Sequence, residues 1–252
     1  MNIFGLTRSS VHKDHALIAP DSFVRSPLPG WSNTEGVILI SPQMGARFTQ
    51  FLALMNPGAV GGPARPGVER VVYVLEGGVT VRSGTKAEHT LSAGGFAFCP
   101  PDCSIDLRAT TTTRLNVFEK IYAPIGGLAP PGLLVGQEQA VDGAPFLGDP
   151  DALLKTLLPQ EAPFDLAVNV FTFRPGAALP MVEVHVMEHG LLMLQGQGVY
   201  RLADAWYPVC AGDVIWMASY CPQWFVAMGK EPARYLYYKD VNRDPFEAVV
   251  RK

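Results

Sequence analysis

Apolar residues in this chain come in short runs, and turn-forming residues cut each run off. Arg70-Val-Val-Tyr-Val-Leu75, Gly95-Phe-Ala-Phe-Cys99, Leu191-Leu-Met-Leu194, Asp213-Val-Ile-Trp-Met217 and Arg234-Tyr-Leu-Tyr-Tyr238 are rich in β-branched and aromatic side chains. Runs of this length, separated by Gly and Pro, predict strands and an all-β sandwich or barrel. Long helical periodicity is hard to find. The best helix candidate is residues 151–157, Asp-Ala-Leu-Leu-Lys-Thr-Leu, which follow a proline.

The pattern repeats. Glu69-Arg-Val-Val-Tyr-Val-Leu-Glu-Gly77 lies over Glu188-His-Gly-Leu-Leu-Met-Leu-Gln-Gly196, and Ala93-Gly-Gly-Phe-Ala-Phe-Cys-Pro over Ala211-Gly-Asp-Val-Ile-Trp-Met-Ala. The two registers differ by one residue, which a single loop insertion reconciles. Each half reads as strand, Gly turn, strand, Ala-Gly turn, strand, and this implies two units related by duplication. Gly and Pro are densest between Ala123 and Asp151. The division falls there, with residues 1–135 forming the first unit and 136–252 the second.

Composition adds exclusions. With 252 residues, 48% hydrophobic and 17% charged, the chain has material for a sizeable core. A net charge of -3 and the lack of a dense Lys/Arg run argue against a nucleic-acid partner. No apolar stretch approaches the roughly 18 residues of a membrane span, and the Met1-to-Ser10 segment lacks the apolar core of a secretory signal. Cys99, Cys103, Cys210 and Cys221 form no Cys-x-x-Cys pair. They read as reduced, buried thiols, so the expected compartment is the cytoplasm.

The chemistry concentrates in Pro180-Met-Val-Glu-Val-His-Val-Met-Glu-His-Gly190, with Gln223 downstream in Tyr-Cys-Pro-Gln-Trp. In an extended strand alternate residues share a face, so Glu183, His185, Met187 and His189 would point one way. Two imidazoles, a carboxylate and an amide suit a divalent cation. Glu188 would face the opposite side. His12 and His15 lie in the N-terminal segment and are expected to have no ligand-like partner nearby, and His89, in the polar turn after Lys86, is expected to be exposed.

Each half resembles a cupin, a small jelly-roll β-barrel, and the whole chain a bicupin. The first cupin motif places a Gly ahead of a His-x-His-x3-4-Glu cluster, with six residues before the next Gly. The second is Gly-x5-Pro-x-Gly-x2-His. Here Gly176 opens the first, Glu183, His185 and His189 stand at its ligand positions in permuted order, and six residues separate His189 from Gly196. Gly212 opens the second, and Gln223 falls at its final His position. Glu-x-His-x3-His-Gly, the downstream Gln, Gln197-Gly-Val-Tyr200 and Tyr238-Lys-Asp-Val-Asn-Arg-Asp244 together resemble the (S)-ureidoglycine aminohydrolase family.

That resemblance implies hydrolytic deamination of (S)-ureidoglycine to ureidoglycolate and ammonia, in the allantoin branch of purine breakdown. It implies Mn2+, with another divalent metal possible, held by Glu183, His185, His189 and Gln223. Tyr200, Tyr235 and Lys239 fall where that family contacts substrate. The partner would be a small ureido acid, and a homo-oligomer is expected because unpaired sheet edges invite one. In the first half Ala64, Pro66, Arg70 and Ile105 occupy the ligand positions, so that barrel is expected to hold no metal, with Arg70 and Glu69 in salt bridges or hydrogen bonds. Two other readings stand beside this one. One is a bicupin dioxygenase or isomerase acting on a small carboxylate. The other is a non-catalytic binding cupin.

Overall fold

The structure is a computed structural model that describes residues 7–84 and 88–246. Residues 1–6 of the N-terminal segment, and Lys86 and Ala87 of the turn before His89, lie outside them. The architecture is all-β, and every strand pairing is antiparallel. The five apolar runs become the strands Val68–Glu76, Gly95–Cys99, His189–Gln195, Val214–Met217 and Ala233–Asp240. In Val68–Glu76, six consecutive residues are buried. A strand covered on both faces reads as a continuous apolar run rather than an alternation.

The chain divides into two compact units. One comprises residues 24–142 with 157–165. Its sheet turns on the long strand Phe48–Gly61, which pairs with Thr113–Ile121 along one stretch and with Asp106–Ala109 along another. The interior is packed with Phe51, Val72, Val74, Leu107, Leu115 and Val117. The other unit comprises residues 7–23, 143–156 and 166–246 among those described. It has an eight-stranded sheet and a three-stranded sheet, with Phe171, Phe173, Leu191, Ile215 and Phe225 in its core.

This division differs from the simple cut at 135/136 read from the sequence. Strand His15–Ile18 pairs with Val214–Met217 and so completes the second unit. Arg8 fastens the same segment through a two-pronged contact to the buried Asp213 carboxylate, at 2.6 and 2.7 Å.

The duplication is visible in the turns. Gly77 and Gly196 both adopt a left-handed backbone, φ 76° and 74°. A Cβ at either would lie 2.2 Å from the Thr112 carbonyl oxygen or 2.5 Å from that of Pro232. In the Ala-Gly turns, the Gly94 N–H donates to the Val74 carbonyl and the Gly212 N–H to the Met193 carbonyl, both at 2.8 Å. The turn contact is preserved across the one-residue difference in register.

The expected helix at 151–157 is instead a strand, Asp149–Thr156. Leu147 and Gly148, at φ 50° and 89°, make a tight two-residue turn that folds it back on Ala144–Phe146. Two successive positive φ values match the twist of a hairpin, and the neighbouring strand Leu166–Phe173 closes the other side.

Candidate metal centre

The predicted strand through Glu183, His185, Met187 and His189 does not form. Glu183 makes an isolated bridge with Gln223: its N–H donates to the Gln223 carbonyl at 2.8 Å, and its carbonyl accepts from the Gln223 N–H at 3.0 Å. His189 begins the strand His189–Gln195, opposite Met217 on one side and Lys239 on the other. A single extended strand could not serve both sets of partners, so the chain leaves the ladder between them. His185 rides on that connection, where its carbonyl accepts from the Tyr220 N–H at 2.7 Å.

The side chains nevertheless converge. Glu183, His185, His189, Gln223, Tyr200, Tyr235 and Lys239 all line one cavity of about 90 Å³. Its size suits a small polar molecule rather than a polymer. His185 Nε2 lies 3.3 Å from His189 Nε2 and 2.9 Å from the Gln223 amide. Two nitrogens bound to one ion at right angles would stand about 3 Å apart, given metal–nitrogen bonds of ~2.0–2.1 Å. His185 Nδ1 lies 3.1 Å from the Met187 carbonyl, which holds the ring and leaves Nε2 facing the cavity.

Electrostatics point the same way. Burial holds His189 well below the ordinary imidazole range, with His185 and Lys239 adding to the effect. His185 is lowered chiefly by burial too, against the opposing pull of the Met187 carbonyl. Neutral imidazole is the ligating form. Glu183 is raised by burial while Lys239 opposes the shift, and Lys239 is lowered by burial while Glu183 opposes it. The donor set therefore fits a divalent cation: two neutral nitrogens, a carboxylate kept in range by a nearby cation, and an amide.

Alternation along Ala233–Asp240 explains the opposite wall. Tyr235, Tyr237 and Lys239 face the cavity, while Tyr238 is buried on the other face. The Tyr235 and Tyr200 hydroxyls hydrogen-bond to each other, and burial raises the pKa of both, so each stays a neutral phenol. Tyr237, Phe171, Phe146, Leu191 and Met187 complete the lining and were not singled out as site residues by the sequence. Tyr237 stacks on His189 with ring centroids 5.5 Å apart and on Phe171 at 5.6 Å. Its shared face with Lys239 was the signal that could have found it. Glu188 points away as expected, and its carboxylate accepts from the Trp216 indole at 2.8 Å.

In the first unit the position of the His189–Lys239 cross-strand pair is taken by Arg70 and Glu119. Arg70 is buried, donates to Glu119 at 2.7 Å and to the Gly62 carbonyl at 2.6 Å, and lies 5.3 Å over the Trp31 ring. Its ion-pair partner is thus Glu119, across the sheet. His89 is exposed. The expectation for His15 is corrected: Asp14, His15 and Cys221 bring three ligand-type atoms within 4.8 Å of one another. The cysteines are all free, but only Cys99 and Cys221 are buried. Among the described residues no helix is long and apolar enough to cross a membrane.

Residues 43–122 match the EutQ-like cupin domain and residues 169–238 the cupin domain. The chain is 46% identical over 243 residues to a protein of Oryza sativa subsp. japonica described as a probable (S)-ureidoglycine aminohydrolase, covering 96% of this chain and 77% of that relative. It is 44% identical over 243 residues to the (S)-ureidoglycine aminohydrolase of Arabidopsis thaliana, covering 96% and 80%. The crystal structure of protein Ylba from E. coli superposes with a TM-score of 0.84 at 32% identity, covering 95% of this chain and 96% of that one.

Proposed function

Because the chain belongs to the (S)-ureidoglycine aminohydrolase family, a family of cupin proteins, we propose that its second barrel deaminates (S)-ureidoglycine hydrolytically. The products are ureidoglycolate and ammonia, which puts the chain in the allantoin branch of purine breakdown. Glu183, His185, His189 and Gln223 are assigned to a divalent cation, manganese in the first instance. Harder oxygen donors and only two imidazoles favour manganese over copper or nickel. The observation that carries this reading is the convergence of two neutral imidazole nitrogens 3.3 Å apart with the Gln223 amide and Lys239 on one small cavity.

The reaction breaks the bond from the substrate's central carbon to its amine and makes one to a water oxygen. When bound, the cation supplies Lewis-acid polarisation and a template for the substrate carboxylate and a neighbouring nitrogen. The protein's own groups divide the rest. Because one of the Tyr200 and Tyr235 hydroxyls donates to the other, the accepting phenol keeps an O–H free to donate to the substrate carboxylate or ureido oxygen. Lys239 offers an N–H donor and charge for the carboxylate. Its lowered pKa also suits it to hand a proton at Nζ to the departing amine. Phe171 and Leu191 exclude bulk water from one side of the cavity. A homo-oligomer in the cytoplasm belongs to the same reading.

The test is ammonia release from freshly prepared ureidoglycine, with an uncatalysed control, alongside metal analysis of the purified protein. Metal-loaded protein that leaves the uncatalysed rate unchanged sinks the aminohydrolase assignment. Protein that retains no divalent metal sinks the ligand assignment.

A further inference from the structure

We infer that Asp14, His15 and Cys221 form a second metal site, of thiolate-containing zinc type, that clips the N-terminal strand to the loop entering Gln223. The site is independent of the proposed aminohydrolase reaction, and neither reading rests on the other.

The three donors are a carboxylate, an imidazole and a sulfur, mutually within 4.8 Å. They come from two separate parts of the chain that the fold brings together. Asp14 and His15 stand at the start of strand His15–Ile18. Cys221 stands in the turn after Val214–Met217, where its N–H donates to the Ala218 carbonyl at 3.1 Å. The two parts are tied by the Ala218 N–H donating to the Asp14 carbonyl at 2.8 Å. The backbone thus holds the donors together with no ion needed to gather them.

The surroundings give the donors access and orientation. His15 and Cys221 are buried, while the Asp14 side chain is about half exposed and gives an entry path. His15 is held at both ring nitrogens, with Asp14 Oδ1 2.8 Å from Nδ1 and the Tyr207 hydroxyl 2.8 Å from Nε2. Ligation through one nitrogen leaves the other with its partner, the arrangement that orients a ligating imidazole. The His12 ring stacks on His15 at 4.5 Å and fixes its plane.

Donor softness sorts this site from the first. One sulfur, one nitrogen and one oxygen suit Zn2+, with water as a fourth ligand, better than Mn2+. Binding forms a metal–sulfur bond and releases the Cys221 thiol proton to solvent. His15 and His189 flank Met217 on adjacent strands, so the two histidines sit about 10 Å apart at the backbone, two strand spacings. One ion does not serve both sites.

Cobalt makes the site visible, because a Co2+–thiolate bond gives an intense near-ultraviolet charge-transfer band and the Glu183/His185/His189/Gln223 set contains no sulfur. Co2+ is titrated into the full-length, manganese-loaded protein. The band should appear and saturate at one equivalent, disappear in Cys221→Ser and His15→Ala, persist in His189→Ala, and be displaced by Zn2+. Zn2+ should also raise Tm in the wild type and not in Asp14→Asn, a variant of unchanged size that guards against misfolding of the others. Absence of the band in the wild type, or its survival in Cys221→Ser, overturns the site and leaves an Asp–His–Tyr hydrogen-bonded chain. Loss of the first site would show as lost manganese with the cobalt band intact.

Discussion

Replacing Lys239 with Met removes the charge from the candidate site while keeping an unbranched apolar stem. Lys239 faces His189 across the sheet and lines the cavity, but its Nζ is not a metal donor. Metal content at pH 7.5 and thermal stability should therefore stay near wild type. Turnover should fall about 10²–10⁴-fold if Lys239 transfers a proton, which corresponds to about 3–5 kcal/mol of transition-state stabilisation. A pure anchoring role would raise KM and leave kcat nearly unchanged. Lys239→Arg separates the two, since Arg keeps the charge but releases no proton near neutrality. The structure adds a second readout. Lys239 holds down the pKa of Glu183, so in the Met variant the carboxyl rises further and protonates at higher pH. The acid edge of metal retention should move up in Met and stay in place in Arg. Steady-state ammonia release and metal content against pH are the measurements. Unchanged kcat and KM in Lys239→Met would return this residue to a packing role and weaken the proposed chemistry with it.

His185→Ala and His189→Ala should each lose bound metal and activity together, and Gln223→Ala should retain more metal than either. Full occupancy and turnover in His185→Ala would show the ligand set to be wrong. Both imidazoles are held below 6.5 by burial, so they stay neutral where free histidine would begin to charge. Metal content should be flat from about pH 8 to pH 6.5, and apo-protein stability should decline as pH falls below that, because the unfolded chain takes up protons the folded one refuses. An unfolding midpoint independent of pH between about 6.5 and 5 would contradict this. Arg70→Leu strands the Glu119 carboxylate and the Gly62 carbonyl, and should cost about 2–4 kcal/mol, read as a lower Tm. The kcat of the remaining folded protein should not change.

The strands and the duplication were legible because they rest on local signals: β-branched runs, and glycines that the left-handed turns at 77 and 196 require. That Glu183, His185, His189 and Gln223 belong together was legible from residue types and spacing, and they do line one cavity, but the local geometry was not. Spacing of two and four suggested a strand, but Glu183 pairs with Gln223 and His189 with Met217 and Lys239. Those partners lie tens of residues away, and alternation within one segment carries no trace of them. The strand at Asp149–Thr156 was misread because its turn uses Leu147 in a left-handed conformation, where a sequence reader looks for Asn or Asp. His15 was set aside because its partners, too, are long-range. Its neighbours Tyr207 and Cys221 are about two hundred residues distant, and nothing within the first twenty residues announces them.

That separation bears on how the protein is made. Strand His15–Ile18 is synthesised about 200 residues before Val214–Met217, the strand it pairs with. At ~5–20 residues per second the wait is on the order of 10–40 s. Throughout it, residues 24–142 have the opportunity to fold, while strand His15–Ile18 waits for Val214–Met217. The unit that needs both ends of the chain is thus the last to close. A fragment starting at residue 136 would close without its outer strands and expose the Val214–Met217 edge to other chains. Dissecting the two barrels for separate study would succeed only if residues 7–23 were grafted back onto the second.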